Sequence, residues 1–230
     1  MLIKERKIWT PDDSFLLKYR EEIESGNIIA GWELRQELTN LKEDFSNDEY
    51  FYNTDDALLR MDFMENCVKL TKSPFYGQPM VLMLWQKAFI EAVYSFKMSE
   101  ESLERGMMID RFKKILLLIA RKNTKSETCS AIAVTELFVG NEGADIVCSS
   151  NDDNQASITY DAIDTMRQLI DPRDLDSKKN QRFIRNKNTN SKVFKLSDKT
   201  KNKEGRNIDF AIVDETHEMK TNVIGKSIEQ

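Results

Sequence analysis

The sequence predicts an α/β fold in which a parallel sheet is flanked by helices and preceded by a helical N-terminal segment. From about residue 113 onwards, short apolar runs typical of buried strands alternate with stretches whose apolar residues recur at helical spacing. Before that point the periodicity is helical and is interrupted by polar or glycine-containing breaks. Alternating strands and helices favour parallel strands, because each crossover helix returns the chain to the same edge of the sheet.

The part of the chain before residue 100 is predicted to consist of helices. The run TPDD at residues 10–13 suits a helix start, with Thr10 as the cap, a proline in the first turn and acids at the positive end of the dipole. Gly26 suits the stop of this helix. Further helices are predicted over residues 30–45, 55–70 and 83–96. The Ser-, Pro- and Gly-containing break at residues 73–79 predicts a boundary between a helical lead, residues 1–75, and a main domain, residues 76–230.

The main domain supplies the strands. Residues 115–119 form a continuous apolar run, which predicts a strand buried on both faces. Helices are predicted over residues 127–138 and again after a cap at Asn151, Asp152 or Asp153, the second helix carrying the apolar residues Ile158, Ala162, Met166, Leu169 and Ile170. Short strands are predicted at residues 144–148, 183–184, 193–196 and 208–213. The last of these ends in the acids Asp214 and Glu215.

Composition narrows the function classes. The chain has 230 residues, and none of its apolar runs reaches the roughly 18 residues of a membrane span, so no membrane association is expected. The N-terminus has no apolar core of a secretory signal. The three cysteines are widely spaced and there is one histidine, His217, a pattern that favours a reducing compartment and contains no metal-binding spacing.

Charge is unevenly distributed along the chain. The net charge is −5, yet residues 171–206 contain twelve Lys and Arg against five Asp and Glu. This local excess is compatible with DNA phosphate, with a neighbouring subunit's nucleotide, or with a solvated hairpin. These twelve cations include Lys178, Lys179, Arg182, Arg185, Lys187, Lys192, Lys195, Lys199, Lys201, Lys203 and Arg206.

Lys125 and Ser126 follow an apolar run and open a predicted helix, which is the layout of a phosphate-binding loop. A lysine there can reach β and γ phosphates, and the adjacent hydroxyl can hold Mg²⁺. The usual pattern G-x-x-x-x-G-K-[ST] would place glycines at Ile119 and Thr124, so the pattern alone fails. An ordinary strand-to-helix connection is the competing interpretation.

The acids Asp214 and Glu215 strengthen the nucleotide interpretation. An apolar strand ending in two carboxylates suits Mg²⁺ binding by the first and positioning of an attacking water by the second. Two parallel strands would deliver Lys125 and Asp214 to the same edge of the sheet. Upstream, the Gln86 amide beside Trp85 has the donor and acceptor that an adenine edge requires, although an exposed glutamine beside a core tryptophan fits equally.

Taken in order, these stretches resemble the large subunit of tailed-bacteriophage terminases. The stretch LMLWQ at residues 82–86 resembles that family's adenine-side motif, and ARKNTKS at residues 120–126 resembles its variant Walker A motif, usually written R-K-N-G-K-S. DETHE at residues 214–218, preceded by GRN at residues 205–207, resembles its Walker B region. GNIIAG at residues 26–31 resembles part of the family's N-terminal helical lead.

The resemblance implies a P-loop NTPase fold of the ASCE type that uses ATP and Mg²⁺. It also implies a function: hydrolysis of ATP that drives double-stranded DNA into a capsid. The implied partners are a small terminase subunit, a portal protein and further copies of the chain in a ring. The implied location is the bacterial host cytoplasm, transiently at the procapsid portal.

The resemblance also assigns roles to residues. Lys125 would neutralise phosphate charge, Ser126 and Asp214 would place Mg²⁺, and Glu215 would orient the water. Arg121 would add charge in cis. The implied ATP-binding set is Trp85, Gln86, Arg121, Lys122, Asn123, Thr124, Lys125 and Ser126.

Two departures from the family pattern bear on function. Thr124 stands where the family has glycine, and a β-branched residue resists positive φ. The chain also stops soon after the Walker B region, so it is expected to be a portion of the ATPase without the family's nuclease domain. Two alternatives remain: a helicase-like ATPase, because residues 214–217 read D-E-T-H, and a non-catalytic ATP-binding or partner-docking module.

Overall fold

The computed structural model describes residues 8–120, 122–150, 153–196 and 208–214, and the chain divides into two compact units. The first unit comprises Met1–Asp62 and Leu82–Leu118, and the second comprises Phe63–Val81 and Ile119–Gln230. The predicted boundary after residue 75 coincides with none of the three points at which the chain passes from one unit to the other, and it stays a prediction about domains.

The first unit is mainly helical, as predicted. Its elements are α1 (Phe15–Glu24), α2 (Trp32–Asp44), β1 (Tyr50–Tyr52), α3 (Asp55–Cys67, whose last residues belong to the second unit), α4 (Leu84–Ser95), β2 (Phe96–Met98) and α5 (Ser99–Arg105). The helices predicted in this region are confirmed, with ends displaced by at most three residues except at the start of α1. The small antiparallel pair formed by β1 and β2 and the short α5 were not predicted.

The start of α1 lies four residues later than the predicted cap. Ser14, not Thr10, is the N-cap, and its hydroxyl accepts a hydrogen bond from the Leu17 N–H at 3.2 Å. Thr10 instead closes the preceding turn, where its carbonyl accepts from the Asp13 N–H at 3.0 Å. The prediction was wrong because two capping residues precede the apolar face, and only Ser14 places Leu16 and Ile23 in the core.

The second unit contains a five-stranded sheet and two long helices. Its elements are α6 (Lys125–Val139), β3 (Asp145–Ser150), α7 (Asp153–Ile170), β4 (Ser177–Lys179), β5 (Phe183–Asn186), β6 (Lys192–Leu196) and β7 (Phe210–Asp214). The strand order is β4-β5-β6-β3-β7. Strands β6, β3 and β7 are parallel, whereas β4, β5 and β6 pair antiparallel.

The sheet is therefore mixed, and the prediction of a parallel sheet holds for three of its strands. The reason lies in the connections. Only a few residues separate β4 from β5 and β5 from β6, which is enough for a turn but too few for a crossover helix. The parallel strand β3 is almost fully buried, since Ile146 and Val147 are 0% exposed.

The predicted strand at residues 115–119 is not present. This segment has no regular secondary structure, and the side chains of Leu116 and Leu118 are 83% and 87% exposed. A strand exists only where a neighbour takes up its backbone hydrogen bonds, and no strand within the described ranges pairs with these residues. An apolar run specifies burial tendency but not the partner that makes it a strand.

Across the described residues, no helix combines the length and apolar character that crossing a lipid bilayer requires.

Candidate functional site

The start of α6 has the features of an anion site. The helix begins at Lys125, and no side chain caps its N-terminus with a hydrogen bond. The first intrahelical bond runs from the Thr128 N–H to the Thr124 carbonyl at 2.8 Å. Backbone N–H groups of a first turn have no carbonyl partner within their own helix, and they lie at the positive end of its dipole. Such a terminus is suited to a phosphate group.

The loop before α6 takes the backbone shape that glycine usually supplies. Thr124 has φ 59° and ψ 19°, in the left-handed region, and Lys122 has φ 67°. Each such residue that is not glycine costs roughly 1–3 kcal/mol of strain. Local contacts partly offset this cost: the Asn123 amide donates to the Ala120 carbonyl at 3.3 Å, and the Thr124 hydroxyl donates to the Asn123 carbonyl at 2.7 Å. Thr124 thus adopts the conformation that its β-branched side chain resists.

Lys125 and Asp214 are brought together although 89 positions separate them in the sequence. The Lys125 Nζ lies 2.9 Å from the Asp214 Oδ1, at the carboxyl end of β7. Asp214 is also tied to the next strand, because the Ser150 hydroxyl donates to its backbone carbonyl at 3.2 Å. Both side chains of the ion pair are partly exposed, so the pair itself adds little to stability. Its position at the helix start and the strand end matters more than its strength.

Several predicted residues have less defined surroundings. Ser126 lies exposed in the first turn of α6, and Lys122 and Asn123 are exposed in the loop. Arg121 and Glu215, two of the predicted catalytic residues, lie outside the described residues, as does His217. Their roles stay predictions.

Trp85 and Gln86 belong to the first unit, whereas Lys125 belongs to the second. Gln86 is not an exposed side chain: it is 2% exposed and its Oε1 accepts a hydrogen bond from the Met83 N–H at 2.8 Å. This is the reciprocal half of a capping box at the start of α4. The amide oxygen therefore has a structural use, and the adenine-side role of Gln86 stays a prediction.

One contact of the site was not predicted from the sequence. Glu127, in the first turn of α6, accepts hydrogen bonds from both the backbone N–H and the hydroxyl of Thr71. These bonds attach the segment Phe63–Val81 to the start of α6 within the second unit. The two residues lie 56 positions apart, and nothing in their local patterns indicates the pairing. Glu127 thereby fixes the first turn next to the Lys125 side chain.

Cysteine chemistry has no place at this site. Burial is the main cause that raises the pKa of Cys129, to about 11, and the nearby Asp214 carboxylate raises it further while Lys125 lowers it. Burial also raises the pKa of Cys148, to about 12. Both thiols hold their protons at neutral pH, so neither offers a thiolate nucleophile or a soft metal ligand.

The donor set fits Mg²⁺ carried by a nucleotide better than a metal held by protein alone. Among the described residues, no group of three or more His, Cys, Asp or Glu side chains is placed to hold a metal ion. Mg²⁺ commonly takes one or two protein oxygens and completes its shell with phosphate oxygens and water. A hydroxyl from Ser126 and a carboxylate from Asp214 are donors of this kind.

A parallel β-α-β core with a lysine at a helix start against an acidic strand end defines the class: an α/β fold similar to the P-loop NTPases. The family is then shown by its sequence. Residues 85–230 match the family described as "Terminase large subunit, ATPase domain". This match spans more than half of the chain, and the chain belongs to this family.

A solved structure has a similar fold. The crystal structure of the HK97 bacteriophage large terminase matches with a TM-score of 0.60 and 23% sequence identity, over 75% of this chain and 34% of that chain. At this identity the likeness shows the fold. The present chain spans about a third of the length of that protein. No curated protein matches the chain.

Proposed function

We propose that this chain is the ATP-binding and hydrolysing portion of a viral DNA-packaging motor. In this role it would couple ATP hydrolysis to the movement of double-stranded DNA into a capsid. Membership of the terminase family supports this proposal, and so does the geometry at the start of α6. The observation that carries it is the ion pair of 2.9 Å between Lys125 and Asp214, which joins the two motifs at one point.

The ion pair suggests how nucleotide enters the site. Without phosphate, the Lys125 ammonium and the Asp214 carboxylate neutralise each other. When a triphosphate binds at the start of α6, Lys125 turns to the β and γ phosphates, because their charge density exceeds that of one carboxylate. This exchange would release Asp214, and Asp214 and Ser126 are the residues that would hold Mg²⁺. When bound, Mg²⁺ supplies positive charge beside the transferred phosphoryl group.

The remaining roles complete the proposal. Glu215 follows Asp214 directly and would orient the attacking water. Arg121, together with Lys122 and Asn123, would add charge and donors around the phosphates. Trp85 and Gln86 would contribute to recognition of the base. The motor would act as a homo-oligomeric ring in the bacterial host cytoplasm, with a small terminase subunit and a portal protein as partners.

The test of the nucleotide site is Lys125→Ala. We expect ATP affinity in the presence of Mg²⁺, measured by calorimetry, to fall at least about tenfold, because a charge-assisted contact to phosphate is lost. Lys113→Ala, which removes an exposed lysine outside the site, should bind ATP as the original chain does. Equal affinity in the two variants would show that α6 is not the phosphate site.

Assays of ATP turnover and of DNA strand separation, run beside this titration, separate the alternative functions. Tight ATP binding that depends on Lys125 but gives no turnover, even with DNA present, identifies a non-catalytic module. Turnover accompanied by separation of DNA strands identifies a helicase-like ATPase, an alternative whose support is limited to the letters D-E-T-H at residues 214–217.

A further inference from the structure

We propose that the antiparallel side of the sheet binds the phosphate backbone of duplex DNA through three cations in one row. The row consists of Lys178 on β4, Arg185 on β5 and Lys192 on β6, and is called the cationic row below. This inference rests on the proposed function for the identity of the polyanion. The arrangement of the charges rests on the strand register alone.

The register places the three cations side by side. Lys178 is directly opposite Arg185 in the β4–β5 pair, and Arg185 is directly opposite Lys192 in the β5–β6 pair. Residues directly opposite in an antiparallel pair project from the same face of the sheet. With neighbouring strands about 4.8 Å apart, the row is roughly 10 Å long. Lys178 and Arg185 are exposed, and Lys192 is half-buried.

Like charges in this arrangement oppose folding, because cations directly opposite each other on neighbouring strands repel. Within the described part of the chain, no carboxylate forms an ion pair with Lys178, Arg185 or Lys192. Among the described residues, the charge of the row is therefore not neutralised by a carboxylate, while the Lys192 Nζ also lies 5.8 Å from the centre of the Phe183 ring. Asp145 occupies the next position, opposite Lys192 on β3, so the excess charge is greatest towards β4 and β5.

The other cations of these strands are used within the fold. The Lys179 Nζ lies 3.3 Å from the Asp161 Oδ1 and 3.2 Å from the Asp164 Oδ2. The Lys187 ammonium donates to two backbone carbonyls of the preceding turn. Lys195 donates to the Ser157 hydroxyl at 2.9 Å. Lys179 on β4, Lys195 on β6 and Lys187 in the turn after β5 thus have charged or polar partners within the fold, whereas no cation of the row has a carboxylate partner among the described residues.

A regular row of cations matches a regular row of anions. Duplex DNA carries about one negative charge per 1.7 Å of its axis, so a row roughly 10 Å long faces several phosphates at once. A single bound phosphate would engage one or two of these side chains and leave the rest in repulsion. The phosphodiester backbone is the partner whose charge spacing uses the whole row. Contacts of this kind hold DNA without reading its sequence.

The test compares two triple variants of the full chain with equal net charge. Lys178→Gln, Arg185→Gln and Lys192→Gln remove the cationic row. Lys179→Gln, Lys187→Gln and Lys195→Gln remove the three cations that the fold uses. Binding of a short labelled duplex is followed by fluorescence anisotropy between about 50 and 200 mM NaCl, with no nucleotide present.

The row variant should lose at least about tenfold in affinity at low salt. Its plot of log K against log salt should be flatter by about 2.7, the slope for three phosphate contacts. The control triple should keep the original slope and bind within about twofold of the original affinity. Failure of the original chain to bind DNA would overturn the proposal, and so would an equal loss in both triples.

A second comparison guards against loss of folding in the control triple. Arg185→Lys should keep the salt slope and Arg185→Glu should lower the affinity further than Arg185→Gln, with thermal unfolding followed in each. Analytical ultracentrifugation tests whether a second copy of the chain, and not DNA, binds this face. If the row variant abolishes self-association and leaves DNA binding intact, the face binds a second copy and the proposal is wrong. Lys125→Ala should leave the DNA titration unchanged, which keeps failure of the nucleotide site distinguishable from failure of the row.

Discussion

The starts of α1 and α6 solve the same electrostatic problem in opposite ways. At α1, the Ser14 hydroxyl caps the helix and the buried Glu91 carboxylate accepts a hydrogen bond from the Phe15 N–H at 2.7 Å. At α6, no side chain caps the first turn, and the residue before the helix is held in the left-handed region. Both termini attract negative charge.

This difference distinguishes a helix start that stabilises the fold, at α1, from a candidate ligand site, at α6. The start of α1 receives its hydrogen-bond acceptor from the protein: Glu91 is 1% exposed and also accepts from the hydroxyls of Ser14 and Tyr52. At the start of α6 the backbone of Thr124 is strained and the Ser126 side chain is exposed. Lys125 forms an ion pair with Asp214, which is partly exposed. A terminus that is uncapped and strained is poorly explained by stability, and is well explained by an anion that arrives with the ligand.

Asp214→Asn is the change expected to break the α6 site most severely. Loss of the carboxylate removes the proposed Mg²⁺ ligand and frees Lys125 from its partner. We expect ATP turnover to fall by about 10²–10³, the range for removal of one electrostatic group from a catalytic site. DNA-stimulated phosphate release measures it.

Asp209→Asn is the matched control for Asp214→Asn, since it changes an exposed carboxylate shortly before the same strand. The Asp209 Oδ2 accepts from the Asp145 N–H at 3.0 Å, and an asparagine oxygen can still do so. This control should keep its turnover. Comparable turnover in both variants would remove Asp214 from the site.

The sequence predicted the meeting of Lys125 and Asp214 better than it predicted the α1 start. The pair Lys125–Ser126 and the acids after an apolar strand each have a local pattern, and the two motifs do meet in the ion pair, although the strand expected before Lys125 is not present. The acceptor at α1 comes from Glu91, 76 positions after Phe15, and no local pattern indicates it. Thr10 was chosen as the cap because a proline and two acids follow it, although serine is the better N-cap by residue type.

The errors in the fold have the same origin. The periodicity of the helices is local, and the long helices were placed nearly correctly. The run at residues 115–119 was taken as a strand from its apolar content, but its exposure shows that burial depends on a partner strand. The antiparallel edge and the Thr71–Glu127 contact are likewise long-range features that sequence spacing does not encode.

Thr124→Gly sharpens the comparison by removing the strain at α6. The position already has φ 59°, which glycine adopts without cost, so the free energy of unfolding should rise by about 1 kcal/mol after the greater freedom of glycine in the unfolded chain is subtracted. Removal of the Cβ also lets the backbone approach phosphate more closely, so the ATP Kd should fall by about three- to tenfold. Chemical unfolding and calorimetry measure the two effects.

Asn190→Gly is the control for strain alone, because Asn190 has φ 62° but lies in the turn between β5 and β6, away from the start of α6. It should gain some stability with little change in ATP affinity. If Thr124→Gly destabilises the chain, the left-handed conformation at this position is incorrect.

Glu91→Gln tests the α1 start through pH. Burial, the largest cause, raises the pKa of Glu91 above the ordinary carboxyl value, against the hydrogen bonds from Ser14, Tyr52 and the backbone, which lower it. The folded chain therefore keeps this proton over a range in which the unfolded chain has released it. The stability contributed by the protonated group is fully present below the ordinary carboxyl pKa and is lost as the pH rises through the raised value.

Glutamine cannot ionise, so the free energy of unfolding of Glu91→Gln should fall less with pH over that window. Urea unfolding at a series of pH values measures the difference, and Glu100→Gln, an exposed acid on α5, should behave as the original chain does. Parallel pH profiles for Glu91→Gln and the original chain would show that the pKa of Glu91 is not raised in the fold, and that Glu91 places a full negative charge at the start of α1.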